Sequence, residues 1–344
     1  MAHQKESKRI VYSEPEDYFP KEIRKKYKLG EFAEPEMLRK IKAVMLGHAV
    51  GDALGVPVEF CSREELTKNP VTDMRGFGTY PVPAGAWSDD TSMSLATLDS
   101  LASGDVHYNE MMENFGKWYY QKEYTPTGEV FDVGGTCCCE IDNYFLGSKN
   151  IETCGLTDVN SNGNGSLMRI HSLVLHVYVK NLPFETWRWI IESGSMLTHA
   201  HERSILGCLI YSFVLLYLLT CREKSAVPRA LREAKKQLQS NPEFGHYERI
   251  FADDFADLPH DAIKSSGYVV DTLEAAIWCL LTTDSYTECV LKAVNLGDDT
   301  DTVAAVVGGL AGALYGYDAI PRAWLDTLQK RKYIERICER FLER

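Results

Sequence analysis

Between Arg203 and Arg222 the chain reads SILGCLIYSFVLLYLLTC, and this apolar stretch decides the class of fold. Its 18 uncharged residues reach only the lower limit for a membrane span, which needs roughly 20 apolar residues. Tyr211, Ser212 and Tyr217 interrupt the stretch, and charged residues stand at both of its ends. These features favour a helix buried on every side in the core of an all-α protein. We therefore expect a soluble protein with no membrane partner.

Helical periodicity continues on both sides of this stretch. Pro35 suits a first helical turn, and apolar residues at helical spacing follow it. Further helices are predicted at about 91–103, 108–121, 166–179, 184–197, 202–221, 226–238, 271–282, 285–294, 301–315 and 328–342. Convincing alternating strand patterns are missing, and no Pro/Ser-rich linker divides the chain. The sequence predicts a single compact multi-helix domain over residues 35–344.

Residues 1–34 differ from the rest of the chain. They hold eight basic and seven acidic residues and no helical apolar stripe, although five aromatic residues are scattered through them. This composition predicts an extended N-terminal arm rather than a domain. The first residues also lack the apolar core of a signal peptide, so we expect a cytoplasmic protein.

Charge and cysteine usage exclude some functions. The formal net charge is −12, which argues against a nucleic-acid partner, because such proteins present a basic face. The ten cysteines show no pair of CxxC motifs and no Cys/His spacing typical of zinc sites. Reduced, buried thiols are the expected state.

Two acidic turns share one design, GAWSDDTSMS (Gly85 to Ser94) and NLGDDTDTVAA (Asn295 to Ala305). Each places aspartates and hydroxyls just before an apolar helical run, where helix capping is the plain structural explanation. Capping needs one side chain, however, and five carboxylates would repel one another if the turns met. A divalent cation would balance them, and oxygen ligands without nearby His or Cys favour Mg²⁺ or Mn²⁺. Spacing alone leaves both explanations open.

Two further segments carry residues of interest. GHAVGDALGVPVEF (Gly47 to Phe60) is a small-residue helix end with Asp52, followed by Glu59; close helix packing also explains its glycines. SNGNGSLMRI (Ser161 to Ile170) is a turn that could present backbone N–H groups to an anion, although such turns are also common in ordinary loops.

Taken together, these segments resemble the ADP-ribosylglycohydrolase family. The resemblance covers about residues 38–316 and rests on ordered motifs: GHAVGDALGVPVEF, GAWSDDTSM, TGEVFDVGGT, SNGNGSLMR, LTHAHERS, GYVVDTLEAAIW and GDDTDTVAAVVGGLAGALYG. It implies an all-helical fold with two Mg²⁺ or Mn²⁺ ions in a central cleft. The implied metal ligands are Ser88, Asp89, Asp90, Asp299, Asp301 and Thr302. Asp298 stands where many relatives have glycine and is expected outside this set.

The resemblance also implies roles around the reaction centre. Glu59 matches a glutamate on a mobile loop, and Asp132 matches a residue that contacts the ribose next to the scissile bond. With Asp301, they are the implied catalytic residues. The implied substrate-binding residues are Asp132, Asn162, Gly163, Asn164, Gly165, Ser166 and Tyr268. Gly135 departs from a usually larger residue.

Three residues near these motifs keep open roles. His199 and His201 are more often packed than catalytic. Arg169 could pair with an acidic residue as easily as with a phosphate.

The implied activity is metal-dependent removal of ADP-ribose from a protein side chain, by cleaving the bond at ribose C1. This cleavage develops oxocarbenium character, and two metals can hold the ribose hydroxyls and acidify a bound water. FDVGG and the short Glu59 loop resemble arginine-specific members. The alternatives are a non-catalytic ADP-ribose-binding or transferase-blocking protein and a purely structural protein. The complete ligand set favours catalysis.

The arm suggests an additional partner. Pro15 and Pro20 would stiffen the segment from Tyr12 to Pro20, whose acidic residues could enter a basic nucleotide-binding cleft. Some family members resemble immunity proteins that neutralise ADP-ribosylating toxins. We therefore expect that the arm blocks an ADP-ribosyltransferase toxin, against the alternative of a surface-draped tail.

Overall fold

The computed structural model describes residues 34–343. This part of the chain contains 14 α-helices, joined by loops and short 3-10 segments, and no β-strand. The all-α prediction is therefore confirmed, whereas residues 1–33 of the predicted arm lie outside the described residues. The helices are α1 (Glu34–Gly55), α2 (Arg63–Lys68), α3 (Asp89–Ser100), α4 (Tyr108–Gln121), α5 (Gly135–Phe145), α6 (His171–Lys180), α7 (Phe184–Met196), α8 (Glu202–Cys221), α9 (Ala226–Leu238), α10 (Val269–Leu281), α11 (Tyr286–Val294), α12 (Thr300–Tyr315), α13 (Arg322–Thr327) and α14 (Arg331–Leu342).

Helix α8 lies in the centre of the fold, as its apolar sequence predicts. Its residues 204–221 are all buried, and it packs against α6, α7, α9, α10 and α12. Two described helices, Pro35–Val58 and Glu202–Cys221, are long and apolar enough to cross a membrane, but 94% and 100% of their most apolar windows are buried. Such burial is typical of core helices.

Helices α1 and α12 make the most intimate contact of the fold. Small residues allow their backbones to touch: a Cβ atom added to Gly47 would lie 2.5 Å from the Gly308 carbonyl oxygen. Gly51 and Gly55 meet Ala304 and Asp301 in the same way. The two helices run antiparallel, so this seam places the C-terminal end of α1 beside the aspartate turn that begins α12.

Some elements differ from the helices that periodicity predicts. The predicted helix 166–179 begins as a 3-10 turn (Leu167–Arg169), and its α-helical part starts at His171. Helix α5 and the 3-10 segment Pro242–Phe251 were not predicted. Both open with residues typical of loops: Gly134 and Gly135 at the start of α5, and Pro242 at the start of the 3-10 segment. Tertiary packing overrides that local signal.

Candidate active site

The first aspartate turn is fixed by a carboxylate from a neighbouring helix. Ser88 caps α3 by accepting a hydrogen bond from the Asp90 N–H group. Asp52 of α1 accepts hydrogen bonds from the Ser88 N–H at 2.9 Å, the Thr91 N–H at 3.1 Å and the Thr91 hydroxyl at 2.6 Å. Burial raises the pKa of Asp52 to about 7. Asp52 thus anchors the turn, a role that sequence analysis missed although the GHAVGDALG motif contains it.

The second aspartate turn meets the first in space. The Thr302 hydroxyl of α12 donates to Asp90 Oδ2 at 3.1 Å, and Asp299 Oδ2 accepts from the Asn164 amide at 2.7 Å. Burial raises the pKa values of Asp90 and Asp301 well above the usual range, and the neighbouring carboxylates raise them further. The repulsion expected from facing turns is therefore present.

Three buried carboxylate oxygens in this cleft lack a hydrogen-bond donor within residues 34–343: Glu59 Oε2, Asp90 Oδ1 and Asp301 Oδ2. Oxygen atoms of Glu59, Asp132 and Asp301 all lie within 4.8 Å of one another. No described lysine or arginine forms an ion pair with these carboxylates. A compact set of hard oxygen donors without counter-charge fits a divalent cation of the Mg²⁺ or Mn²⁺ class.

Glu59 lies on a short loop that is tied to the second aspartate turn. The loop follows a 3-10 turn (Val56–Val58) at the end of α1. Burial, and then the Asp132 carboxylate, raise the pKa of Glu59 to about 8. Beside it, the Phe60 N–H donates to the Asp298 carbonyl at 2.7 Å, and the Asp298 N–H donates to the Cys61 carbonyl at 2.8 Å. This pair of hydrogen bonds, called the clasp below, holds the Glu59 loop next to Asp299.

The FDVGG segment lies over the first aspartate turn. Asp132 adopts a left-handed backbone conformation with φ of 49°, and the Gly134 N–H donates to Asp89 Oδ2 at 3.2 Å. A Cβ atom added to Gly135 would meet nothing within 4 Å, so the departure from a larger residue leaves open space here.

The NGNGS turn is tied to the N-terminal ends of α8 and α10. Asn162 accepts from the Ser204 hydroxyl at 2.9 Å through its side chain and from the Val269 N–H at 3.0 Å through its carbonyl. The Asn164 N–H donates to the Gly267 carbonyl at 3.0 Å. These bonds fix the turn beside α8 and α10, and the bond from the Asn164 amide to Asp299 joins it to the second aspartate turn.

Other predicted binding residues lie on either side of this turn. Gly163 pairs with Tyr268 in an isolated β-bridge, and the half-buried Tyr268 side chain accepts from Arg203 Nη1 at 3.1 Å. The carbonyl of Gly165 accepts from Arg169. The Ser166 hydroxyl is buried and accepts a hydrogen bond from the Ser195 hydroxyl at 2.9 Å. This side chain therefore faces the core rather than the cleft.

The three residues with open roles have structural partners. The Arg169 guanidinium is buried and donates to the Gly165 carbonyl at 2.5 Å and to the Thr198 hydroxyl at 2.9 Å. It forms no ion pair with an acidic residue of the described part of the chain. Burial, and then Arg169, lower the pKa of His199 to about 3. His201 caps α8.

The chain belongs to the ADP-ribosylglycohydrolase family, whose model matches residues 33–344. It is accordingly a hydrolase that removes ADP-ribose. ADP-ribosylarginine hydrolase Tri1 of Serratia proteamaculans (strain 568) is 35% identical over 315 residues, which cover 89% of this chain and 80% of the relative. ADP-ribosyl-[dinitrogen reductase] glycohydrolase of Rhodospirillum rubrum is 31% identical over 86% of this chain and 92% of the relative.

A solved structure shares the fold. It is described as an ADP-ribosylglycohydrolase-related protein complex, and it superposes with a TM-score of 0.75 at 28% identity, covering 90% of this chain and 98% of that chain. The expected resemblance to the family is therefore confirmed.

Proposed function

We propose that this hydrolase cleaves ADP-ribose from arginine side chains and uses two divalent cations, Mg²⁺ or Mn²⁺. The observation that carries the proposal is the set of buried carboxylate oxygens of Glu59, Asp90 and Asp301 without a described donor or counter-charge. Unpaired buried carboxylates are costly, and a catalytic cation site is the simplest reason to keep them.

The two aspartate turns would hold the cations from opposite sides of the cleft. The proposed ligands are Ser88, Asp89, Asp90, Asp299, Asp301 and Thr302. When bound, the cations supply a fixed position for the ribose hydroxyls and a more acidic water. Asp52 keeps the first turn in place through its three hydrogen bonds, and Asn164 orients the Asp299 carboxylate.

Glu59 and Asp132 act at the bond to be cleaved. Cleavage of the C1–N bond develops positive charge on the ribose, while the bonding electrons pass to the nitrogen of the leaving guanidine and water adds to C1 with loss of a proton. The Asp132 carboxylate stabilises the ribose in its bound orientation, and Glu59 orients the water or the leaving group and exchanges a proton with it.

Arginine is favoured over serine as the acceptor by charge. A guanidinium remains cationic under all physiological conditions, and it would lie beside Glu59 and Asp132, which are not among the proposed cation ligands and have no described basic partner. Two relatives, from Serratia proteamaculans and Pseudomonas putida (strain GB-1), are named ADP-ribosylarginine hydrolases. These observations support the arginine preference.

Release of ADP-ribose from matched arginine- and serine-modified peptides tests the proposal. We expect release from arginine that EDTA abolishes and that added Mg²⁺ or Mn²⁺ restores. Faster release from serine would contradict the acceptor, and full activity after exhaustive chelation would contradict the cation site.

A second role is proposed for the N-terminal arm. Residues 1–33 lie outside the described residues, so the proposal rests on the sequence: aromatic and acidic residues in a proline-stiffened segment. We expect deletion of residues 1–34 to weaken binding and inhibition of an ADP-ribosyltransferase toxin while hydrolysis continues, and Asp301→Asn to do the reverse. A truncated protein that inhibits the toxin as well as the full chain would show that the arm is only a tail.

A further inference from the structure

Two phenylalanine side chains project into solvent beside the cleft. Phe60 is 67% exposed and Phe77 is 74% exposed. Both also adopt left-handed backbone conformations, with φ of 64° and 56°. Glycine or asparagine is the usual residue at such φ values, and a bulky aromatic residue there is an outlier. One exposed apolar residue needs no explanation, but two strained ones on one loop pair point to a function.

Both rings belong to one wall of the active site. The Thr79 N–H donates to the Pro57 carbonyl at 3.0 Å, and the Thr79 hydroxyl donates to the Glu59 carbonyl at 2.7 Å. Phe60 directly follows Glu59, and Phe77 stands two residues before Thr79. The joined loops therefore carry the buried catalytic glutamate together with two exposed apolar rings.

A second pair of aromatic rings near the same loops packs within the protein. The Tyr80 ring lies 5.1 Å from the Phe131 ring, centre to centre, and Phe131 precedes Asp132. The Tyr80 side chain also forms a hydrogen bond with Glu59, so it lies beside the catalytic glutamate. The Tyr80 ring is thus engaged within the protein, whereas the exposed rings of Phe60 and Phe77 are available to a partner outside the cleft.

We propose that Phe60 and Phe77 form a docking wall for the protein segment that flanks the modified arginine. This inference rests on the proposed function, since it takes the acceptor to be a protein-borne arginine. The guanidinium is expected beside Glu59 and Asp132, and the arginine side chain has a fixed reach, so the main chain that carries it would pass close to the loops that hold Glu59. Exposed aromatic rings are effective contacts for such a segment.

Comparison of a protein substrate with a small one tests the docking wall. The two substrates are free ADP-ribosylarginine and a folded carrier protein modified on surface arginines by an arginine-specific transferase. For Phe60→Ser combined with Phe77→Ser, we expect kcat/KM on the carrier protein to fall about 10-fold or more, mainly through KM. Hydrolysis of free ADP-ribosylarginine should change less than about twofold, because that substrate does not reach the wall.

A matched control and a conformational variant sharpen the test. Leu146→Ser removes an apolar side chain that is 78% exposed at the end of α5, with an ordinary φ of −78°, and should change neither activity. Phe60→Gly relieves the left-handed strain, so it should raise the Tm while still lowering kcat/KM on the carrier protein.

Several results would overturn the docking wall. They are an unchanged kcat/KM on the carrier protein in the double variant, an equal loss on both substrates, and an equal loss in Leu146→Ser. Failure of the unmodified enzyme to release ADP-ribose from either arginine-linked substrate is a separate result. It would overturn the proposed function and the docking wall with it.

Discussion

Replacing Gly55 by alanine should separate the packing of α1 and α12 from the chemistry at its end. A Cβ atom at this position would lie 2.5 Å from the Thr300 carbonyl carbon and nearer still to the Asp301 backbone, whereas ordinary contact begins at 3.4 Å. Since backbone cannot give way like a side chain, the two helices must move apart by about 1 Å. Asp301 would move with its helix.

Two opposing effects determine the stability of the Gly55→Ala variant. Overpacking costs about 1–3 kcal/mol, and alanine gains up to about 1 kcal/mol over glycine within a helix. The φ of Gly55 is −81°, so alanine introduces no backbone strain. We expect a free energy of unfolding lowered by about 0–3 kcal/mol, which leaves the protein folded. A displacement of about 1 Å at a catalytic group, in contrast, can cost roughly 100-fold in rate.

Urea unfolding, calorimetric Mn²⁺ binding and steady-state hydrolysis would measure these effects. Gly47→Ala makes a similar clash two turns away, and it should lower stability with a smaller loss of activity. Gly245→Ala, where an added Cβ meets nothing within 4 Å, should change nothing. Gly55→Ala with unaltered Mn²⁺ affinity and unaltered kcat/KM would refute the claim that the seam positions Asp301.

Three further predictions concern buried charge. Asp301→Asn should abolish hydrolysis and slightly raise the stability of the metal-free protein. Mg²⁺ should raise the Tm of the unmodified protein more than that of the variant. An active Asp301→Asn enzyme would contradict the cation site. The pKa of Glu59 is raised from 4.5 to about 8. Its contribution to the stability of the metal-free protein is therefore present below about pH 4.5 and is lost as the pH rises to about 8. Over that range, the urea midpoint should fall more steeply for the unmodified protein than for Glu59→Gln, and an equal slope would contradict the raised pKa. Arg169→Met should lower the free energy of unfolding by about 1–3 kcal/mol, because it leaves the Gly165 carbonyl without its donor. A loss below about 1 kcal/mol in urea unfolding would show that the guanidinium is dispensable.

Local sequence signals account for most of the helices and for the aspartate turns, but not for how the turns are held. Capping and cation binding were open alternatives from spacing alone, and both fit the structure: Ser88 caps α3 while Asp90 Oδ1 stays unpaired. Capping rules act within a few residues and are readable from the sequence. The bonds from Asp52 to Ser88 and from Thr302 to Asp90 join distant parts of the chain, and no local pattern encodes them.

Side-chain direction was the other limit of sequence analysis. The NGNGS turn was located correctly by its composition, yet its Ser166 hydroxyl points into the core. The composition of a turn indicates that the backbone changes direction there. The packing of α7 and α8 decides which side chains of the turn are buried.

The clasp between the Glu59 loop and Asp298 has a consequence for turnover. Opening the loop would break two backbone hydrogen bonds, each worth about 1 kcal/mol, so the open form would make up roughly 3% of the molecules at equilibrium. Each opening would also release the backbone beside Asp299, which is proposed to hold a cation. Release of ADP-ribose and exchange of the bound cation would then both require the same opening of the Glu59 loop. Slower opening would therefore slow turnover and also prolong the time for which the cation stays bound.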